Sequence, residues 1–476
     1  MQNHTTLVAT EDEPRPSLER LYELSPTANQ ASRDLIRALY AHPSAPRWNH
    51  AAGDRLQPED VMALQSFSVS LSAQRGDRNP KPNGETLAWV DRRIAATPLF
   101  RARTPQGLKL EHDWEALPTS SREDIARNPE YLVPDDADLD RLIVYRTAGT
   151  TGHALLVPHD PLAVACYQPM LSFALQRYGV DTGFNDDDVA CFLVGSQRKT
   201  VTYPTAVAGW QGAGFCKLNL FADEWPSTVA RSRYFEHFAP KFLTGDPLSF
   251  ADLLDAKIEY APKAMITTAV ALSQGLKIKL EATYGCPVID WYSLTETGPL
   301  GYACPHGHGY HLLPHDVFVE TLGVDGQPTQ GVGEITVTGG RNPFLPLLRY
   351  RTGDWGRIDH GPCTCGDAMP RFVDLEGRAP VRFRTAGGAW INSQDIATIL
   401  RRYPLVQHTF EQDSSETCTL SYRVLSNADW PRDVLEAELK ALLGAAIQLN
   451  ISEDPMLGRR AGFDKVLPFR SCWLEE

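Results

Sequence analysis

Thr147-Ala-Gly-Thr-Thr-Gly152 is built from residue types that can hold a phosphate. Gly149 and Gly152 let the backbone approach an anion closely, while Thr147, Thr150 and Thr151 add hydroxyl donors. The apolar run Leu142-Ile-Val-Tyr145 ahead of the loop predicts a strand feeding this turn. No Lys-Ser/Thr pair follows Gly152, so the loop is not of the Walker type, and an isolated turn of this kind could equally be plain surface. A second chemical cluster is Cys304-Pro-His-Gly-His-Gly-Tyr-His311 together with Cys363-Thr-Cys365. Soft ligands paired across Gly/Pro turns suit a closed tetrahedral Zn²⁺ site, with thiolates from Cys304, Cys363 and Cys365 and one histidine from His306, His308 or His311. Free thiols in turns beside a histidine-rich loop are the competing reading.

The elements that must position these groups follow from length and periodicity. A chain of 476 residues is too long for one core, so at least two domains are expected. From Ser17 to about Gln74 apolar residues recur at helical spacing, and Leu87 to Tyr131 reads as helical again, with Thr119-Ser-Ser-Arg-Glu123 as a helix start. Between Leu142 and about Thr352 short apolar strands alternate with helical segments, as in Val189–Val194, Lys263–Thr268 and Pro287–Trp291. That alternation predicts a layered α/β core with parallel strands. Gly333–Thr338 and His315–Leu322 read instead as antiparallel or barrel-like strands. A boundary is expected near Leu375-Glu-Gly-Arg378, followed by a smaller α+β unit. The expected division is therefore a helical N-terminal extension over 1–86, a large α/β domain with a small barrel-like part over 87–376, and a mobile C-terminal α+β domain over 377–476.

Composition is ordinary for a globular protein, with 42% hydrophobic and 22% charged residues. The net charge of −13 argues against a general nucleic-acid or anionic-membrane surface. No run approaches the length of a membrane span, and the N-terminus does not read as a signal peptide. Nine cysteines without a secretory signal suggest reduced thiols or metal ligands, which makes the cytoplasm the expected compartment.

Two downstream segments give the Gly/Thr loop its weight: Tyr292-Ser-Leu-Thr-Glu296 and Tyr350-Arg-Thr-Gly-Asp354. In this order the three resemble the nucleotide-binding motifs of the AMP-forming adenylating enzymes (acyl-CoA synthetases, adenylation domains and luciferases), in the phenylacetate–CoA ligase-like branch. The resemblance runs from about Leu87 to the C-terminus. It implies that Thr147, Gly149, Thr150, Thr151 and Gly152 hold the ATP phosphates, that Thr268 and Ala269 line the adenine, and that Tyr292 stacks on it. It further assigns Thr295 to a phosphate oxygen, Glu296 to Mg²⁺, Asp354 to the ribose hydroxyls and Arg378 to ribose or phosphate. A carboxylate offers two acceptors at the spacing of a vicinal diol, and a carboxylate also suits a hard cation. Gly462-Phe-Asp-Lys465 resembles the terminal element that carries the family's catalytic lysine, with one extra residue. By the same resemblance Gly-Tyr-His matches the segment that carries a zinc ligand, which favours His311 over His306 and His308.

Departures from the pattern are visible. His153 stands where a basic residue is usual, and Thr267-Thr-Ala-Val replaces the usual Gly/Ala-Glu pair. Arg378-Ala-Pro-Val381 lacks the acidic hinge residues. The expected reaction is ATP-dependent activation of an aryl or apolar carboxylic acid as an acyl-adenylate and its transfer to CoA. An amine acceptor giving an amide, a carrier protein and an adenylate-binding pseudoenzyme are the alternatives. Val201–Pro204, Trp210–Phe215 and Gly298–Tyr302 fall where the branch places its acid pocket. A homodimer is a further possibility.

Overall fold

The computed structural model describes residues 15–73, 81–146, 155–185, 187–197, 200–314, 316–377, 381–414, 416–426, 430–458 and 466–473. Strand β1 is Ser120–Ser121, and β2 (Ile143–Arg146) pairs with β3 (Leu156–His159) as an antiparallel ladder flanking the Gly/Thr loop. The main sheet begins with β4 (Val189–Gly195), β5 (Tyr203–Val207), β6 (Ala213–Asn219), β7 (Phe242–Gly245), β8 (Ala264–Thr267) and β9 (Val288–Leu294). It continues through β10 (Gly298–Ala303), β11 (Tyr310–Leu312), β12 (Val317–Leu322), β13 (Gly333–Gly339), β14 (Leu347–Asp359) and β15 (Arg371–Glu376). Strand order is β12-β13-β14-β15-β11-β10-β9-β8-β7-β4-β6-β5, with β1 beside β14.

Two regimes meet at β9. Strands β6, β4, β7, β8 and β9 run parallel, and β5 closes the edge antiparallel to β6. Every residue of β4, Val-Ala-Cys-Phe-Leu-Val-Gly, is buried, as a parallel strand covered on both faces requires. From β9 onward pairing is antiparallel, through β10, β11, β15, β14, β13 and β12. The sequence-based expectation of a parallel α/β core joined to an antiparallel, barrel-like part is met.

Two apolar cores cover the faces of the parallel strands. One contains Cys191, Leu193, Tyr203, Phe215, Ile266, Ile289 and Trp291, and the other contains Phe192, Val194, Leu218, Leu243, Met265 and Val288, alternating along each strand. The N-terminal helices feed both. Leu64, Phe67 and Leu71 of the helix Pro58–Ala73 join the first, and Leu39 of the helix Gln30–Ala41 joins the second. Asn29 caps the latter helix by accepting from the Ser32 amide, and the Tyr234 hydroxyl donates to the Leu39 carbonyl at 3.0 Å.

The C-terminal region has its own core around Phe383, Ile396, Phe410, Leu420, Leu435 and Leu439. Strands β16 (Arg382–Arg384) and β17 (Trp390–Asn392) form a hairpin, while β18 (Leu405–Gln412), β19 (Thr417–Val424), β20 (Gln448–Glu453) and β21 (Phe469–Ser471) form a sheet in the order β20-β19-β18-β21. Val406 and Leu425 from this unit pack with Leu276 and Leu280 in the second large-domain core. Among the described residues no helix is long and apolar enough to cross a membrane.

Candidate active site

Strand β9 ends at Leu294, and a turn over Thr295–Thr297 returns the chain into β10. Gly298 takes φ +70° there, and a Cβ on it would stand 2.6 Å from the Tyr167 ring. Only glycine satisfies both constraints. The turn presents Thr295 and Glu296 at the carboxyl edge of the parallel strands, where open α/β sheets bind ligands.

Glu296 is 5% exposed. Its Oε1 accepts from the Tyr350 hydroxyl at 3.2 Å and pairs with the Arg122 guanidinium at 3.1 Å. Oε2 accepts no hydrogen bond from the described residues, so one carboxylate oxygen stays open to a cation. Arg122 opens the helix Arg122–Arg127, whose start is fixed by a capping box between Ser121 and Asp124. Its side chain is 42% exposed, so the pair with Glu296 still faces solvent on the arginine side.

Tyr292 on β9 donates its hydroxyl to Asp354 Oδ2 on β14 at 2.9 Å. Three strands separate β9 from β14 in the sheet order, so this bond and the one from Tyr350 to Glu296 require the antiparallel part to curl back on itself. The Tyr292 ring stands edge-on to Phe372, with centroids 5.3 Å apart, and burial together with the Asp354 carboxylate drives its phenol well above the usual range. The phenol therefore remains a donor to Asp354.

The segment after β8 lies alongside. Thr268 Oγ1 is 3.1 Å from Ser293 Oγ, and Ala269 adopts φ +74°, the left-handed region that a Cβ disfavours. Asp290, enclosed on β9, accepts from Thr267 at 3.0 Å and from Tyr310 at 2.6 Å. Burial raises its pKa, opposed by those two bonds. His159 at the end of β3 lies against the Tyr145 ring, with centroids 4.8 Å apart, and against the Thr295 backbone. Burial lowers its pKa to about 4, so it is a neutral packing group between the loop strands and the Thr295 turn.

The structure thus brings together Thr268, Ala269, Tyr292, Thr295, Glu296 and Asp354. Thr147, Gly149, Thr150, Thr151, Gly152 and His153 lie outside the described residues, as do Arg378 and Lys465. Sequence reasoning missed Arg122, Asp290 and His159. Each owes its place to a tertiary contact, and only the Ser121–Asp124 capping pattern hinted at where the Arg122 helix begins. Trp210 and Phe215, expected near the acid pocket, belong to core packing: the Trp210 indole donates to Ser172 at 2.9 Å and its ring meets Phe184 and Phe242.

The Cys/His cluster assembles from both predicted segments. The ligand atoms of Cys304, His311, Cys363 and Cys365 all lie within 4.8 Å of one another. Cys304 and Cys363 sulfurs are 3.6 Å apart, close to the edge of about 3.8 Å that a tetrahedron with Zn–S bonds of about 2.3 Å demands. His311 Nε2 is 3.1 Å from Cys365 Sγ, while its Nδ1 faces the Met369 carbonyl at 3.2 Å, the arrangement that fixes a ligating tautomer. His306 instead contacts Thr364 Oγ1 at 3.2 Å, and neither it nor His308 joins the cluster. The donor set fits a closed structural zinc site with no position left for chemistry.

No protein-family model and no curated protein matches the sequence. Solved structures do match the fold. A 2-hydroxyisobutyryl-CoA ligase in the postadenylation state, in complex with R3-HIB-AMP, is similar at a TM-score of 0.60 and 15% identity, over 82% of this chain and 90% of that one. The same ligase in an open conformation with 2-HIB-AMP and CoA gives 0.53 at 14% identity, over 83% and 96%. Its thioesterification state gives 0.50 at 16% identity, over 83% and 91%. The chain has the fold of the AMP-forming adenylating ligases.

Proposed function

We propose that the chain is an ATP-dependent, AMP-forming carboxylate ligase that activates an acid as its acyl-adenylate and passes the acyl group to CoA. One observation carries this reading: the Tyr292–Asp354 and Tyr350–Glu296 hydrogen bonds draw two sequence-remote motifs to one place, where His159 of β3 meets the Thr295 backbone. A carboxylate oxygen attacks the α-phosphorus of ATP, the α–β phosphoanhydride bond breaks, and pyrophosphate leaves. The CoA thiol then adds to the acyl carbon and AMP departs.

Asp354 would accept the ribose hydroxyls, held for that task by Tyr292. Arg122 supplies positive charge beside Glu296 at the side facing solvent, suited to the departing phosphates. Glu296 Oε2 is the oxygen available to Mg²⁺, which when bound neutralises pyrophosphate charge. Lys465, by resemblance, would stabilise charge at the α-phosphate. The chain would divide into a helical N-terminal extension over 1–86, a main domain over 87–376 and a mobile C-terminal domain over 377–476, and Cys304, His311, Cys363 and Cys365 would hold one structural Zn²⁺.

The test is product analysis. The protein is incubated with ATP, Mg²⁺ and a panel of acids, with CoA or with amines, and pyrophosphate, AMP and acyl products are followed. Acyl-CoA formed in proportion to AMP supports the reading. Pyrophosphate with amide and no thioester would replace CoA by an amine, and no pyrophosphate with any acid would leave only adenylate binding.

A further inference from the structure

Lys217 on β6 is a buried charge that the reaction above does not use. It is 4% exposed, and it makes neither a hydrogen bond nor an ion pair with any of the described residues. Burial alone pulls its pKa down to about 8, with no carboxylate opposing the shift. An unpaired buried ammonium is costly, and lysine is almost never enclosed without a partner.

Register fixes where Lys217 points. It pairs with Tyr203 on β5 and Leu193 on β4, and the same row runs on through Thr244 on β7, Ile266 on β8 and Ile289 on β9. Tyr203, Leu193, Ile266 and Ile289 all belong to the first core, so Lys217 shares their face. That face leads to the candidate active site. The Tyr203 phenol lies within electrostatic reach of Tyr145, as does the Tyr167 phenol, and the Tyr167 ring packs on Gly298, two residues after Glu296. Tyr145 thus has a neighbour on the Lys217 face, Tyr203, and another at the Thr295–Gly298 turn, Tyr167.

We propose that Lys217 is a specificity-determining residue that binds a second carboxylate on the acid substrate, at the end remote from the reacting carboxyl. The natural acid is then a dicarboxylic acid rather than a plain apolar one. This rests on the ligase reading and narrows it. The ammonium, unpaired among the described residues, gains a partner when the substrate enters, and an acid without a second carboxylate leaves it unpaired.

The experiment measures acid-dependent pyrophosphate release for the full chain and for Lys217→Met, using straight-chain and aryl monoacids matched in length to diacids. The wild type is expected to favour at least one diacid over its matched monoacid by about 100-fold in kcat/KM. Lys217→Met should lose about 100-fold on that diacid, mainly through KM, and stay within about threefold on the monoacid, with Lys217→Arg intermediate. Lys217→Met should also unfold at a higher temperature, because methionine carries no buried charge, so loss of activity cannot be ascribed to a failed fold. Wild-type preference for monoacids, or equal loss on both acids in Lys217→Met, would overturn the proposal while leaving the ligase reading intact. Absence of pyrophosphate release with every acid would remove both.

Discussion

Tyr292→Phe deletes one hydroxyl and takes from Asp354 Oδ2 the donor that stands 2.9 Å away. A hydrogen bond to a charged group contributes about 1.5–3 kcal/mol. The carboxylate borders a site that ribose hydroxyls would occupy, and those hydroxyls restore part of the loss. The lower end, about 1.5 kcal/mol, is therefore expected, which is about tenfold in kcat/KM. The effect should appear in kcat/KM for ATP and not in KM for the acid, because the proposal places Tyr292 on the nucleotide side. Acid-dependent ATP–pyrophosphate exchange measures it directly, with 2′-deoxy-ATP in parallel. The wild type should discriminate against the deoxynucleotide, and Asp354→Ala should abolish that discrimination. An unchanged kcat/KM for ATP in Tyr292→Phe, with discrimination intact in Asp354→Ala, would refute the assignment of this pair to ribose.

Purified protein should contain about one zinc per chain, lost in Cys365→Ser and retained in both His306→Ala and His308→Ala; elemental analysis checks this, and metal loss in the histidine variants would relocate the site. Ala269→Gly should relieve the left-handed backbone at φ +74° and raise unfolding free energy by about 0.5–1 kcal/mol in urea titration, whereas destabilisation would mean that the alanine side chain contributes more than its strain costs. His159 binds its proton at about 4 in the fold against about 6.5 when unfolded, so its contribution is complete above pH 6.5 and is lost as pH falls towards 4, by about 3 kcal/mol in all. His159→Phe should flatten the acid limb of the stability curve between those pH values, and an identical limb would show that other groups govern it.

The candidate residues that sequence reading named and the fold brings together are those whose neighbours in the chain advertise them. Tyr292, Thr295 and Glu296 sit in one pentapeptide, and Asp354 closes another, so local pattern and order sufficed. Cys363 and Cys365 were legible from spacing and His311 from the family resemblance; β11 supplies the physical reason, because it turns that imidazole inward while the preceding turn leaves His306 and His308 outside. Arg122 and His159 are unremarkable in sequence, because their relevance comes from Glu296 and Thr295, more than a hundred residues away. Nothing in the sequence marks Lys217, whose burial follows from its place on β6. Helical periodicity correctly predicted the N-terminal helices, yet it gave no sign that Leu39, Leu64 and Phe67 would complete the cores of the large sheet.

Acid-dependent exchange of labelled pyrophosphate into ATP, compared between the wild type and Glu296→Gln, probes the proposed adenylation chemistry at its centre. Glutamine keeps the shape that Tyr350 and Arg122 contact while removing the charge available to Mg²⁺. The wild type should exchange only when acid and Mg²⁺ are both present, and Glu296→Gln should fall by at least about 100-fold at unchanged thermal stability. Exchange that persists in Glu296→Gln, or that needs no acid in the wild type, would contradict an adenylate-forming site at this turn.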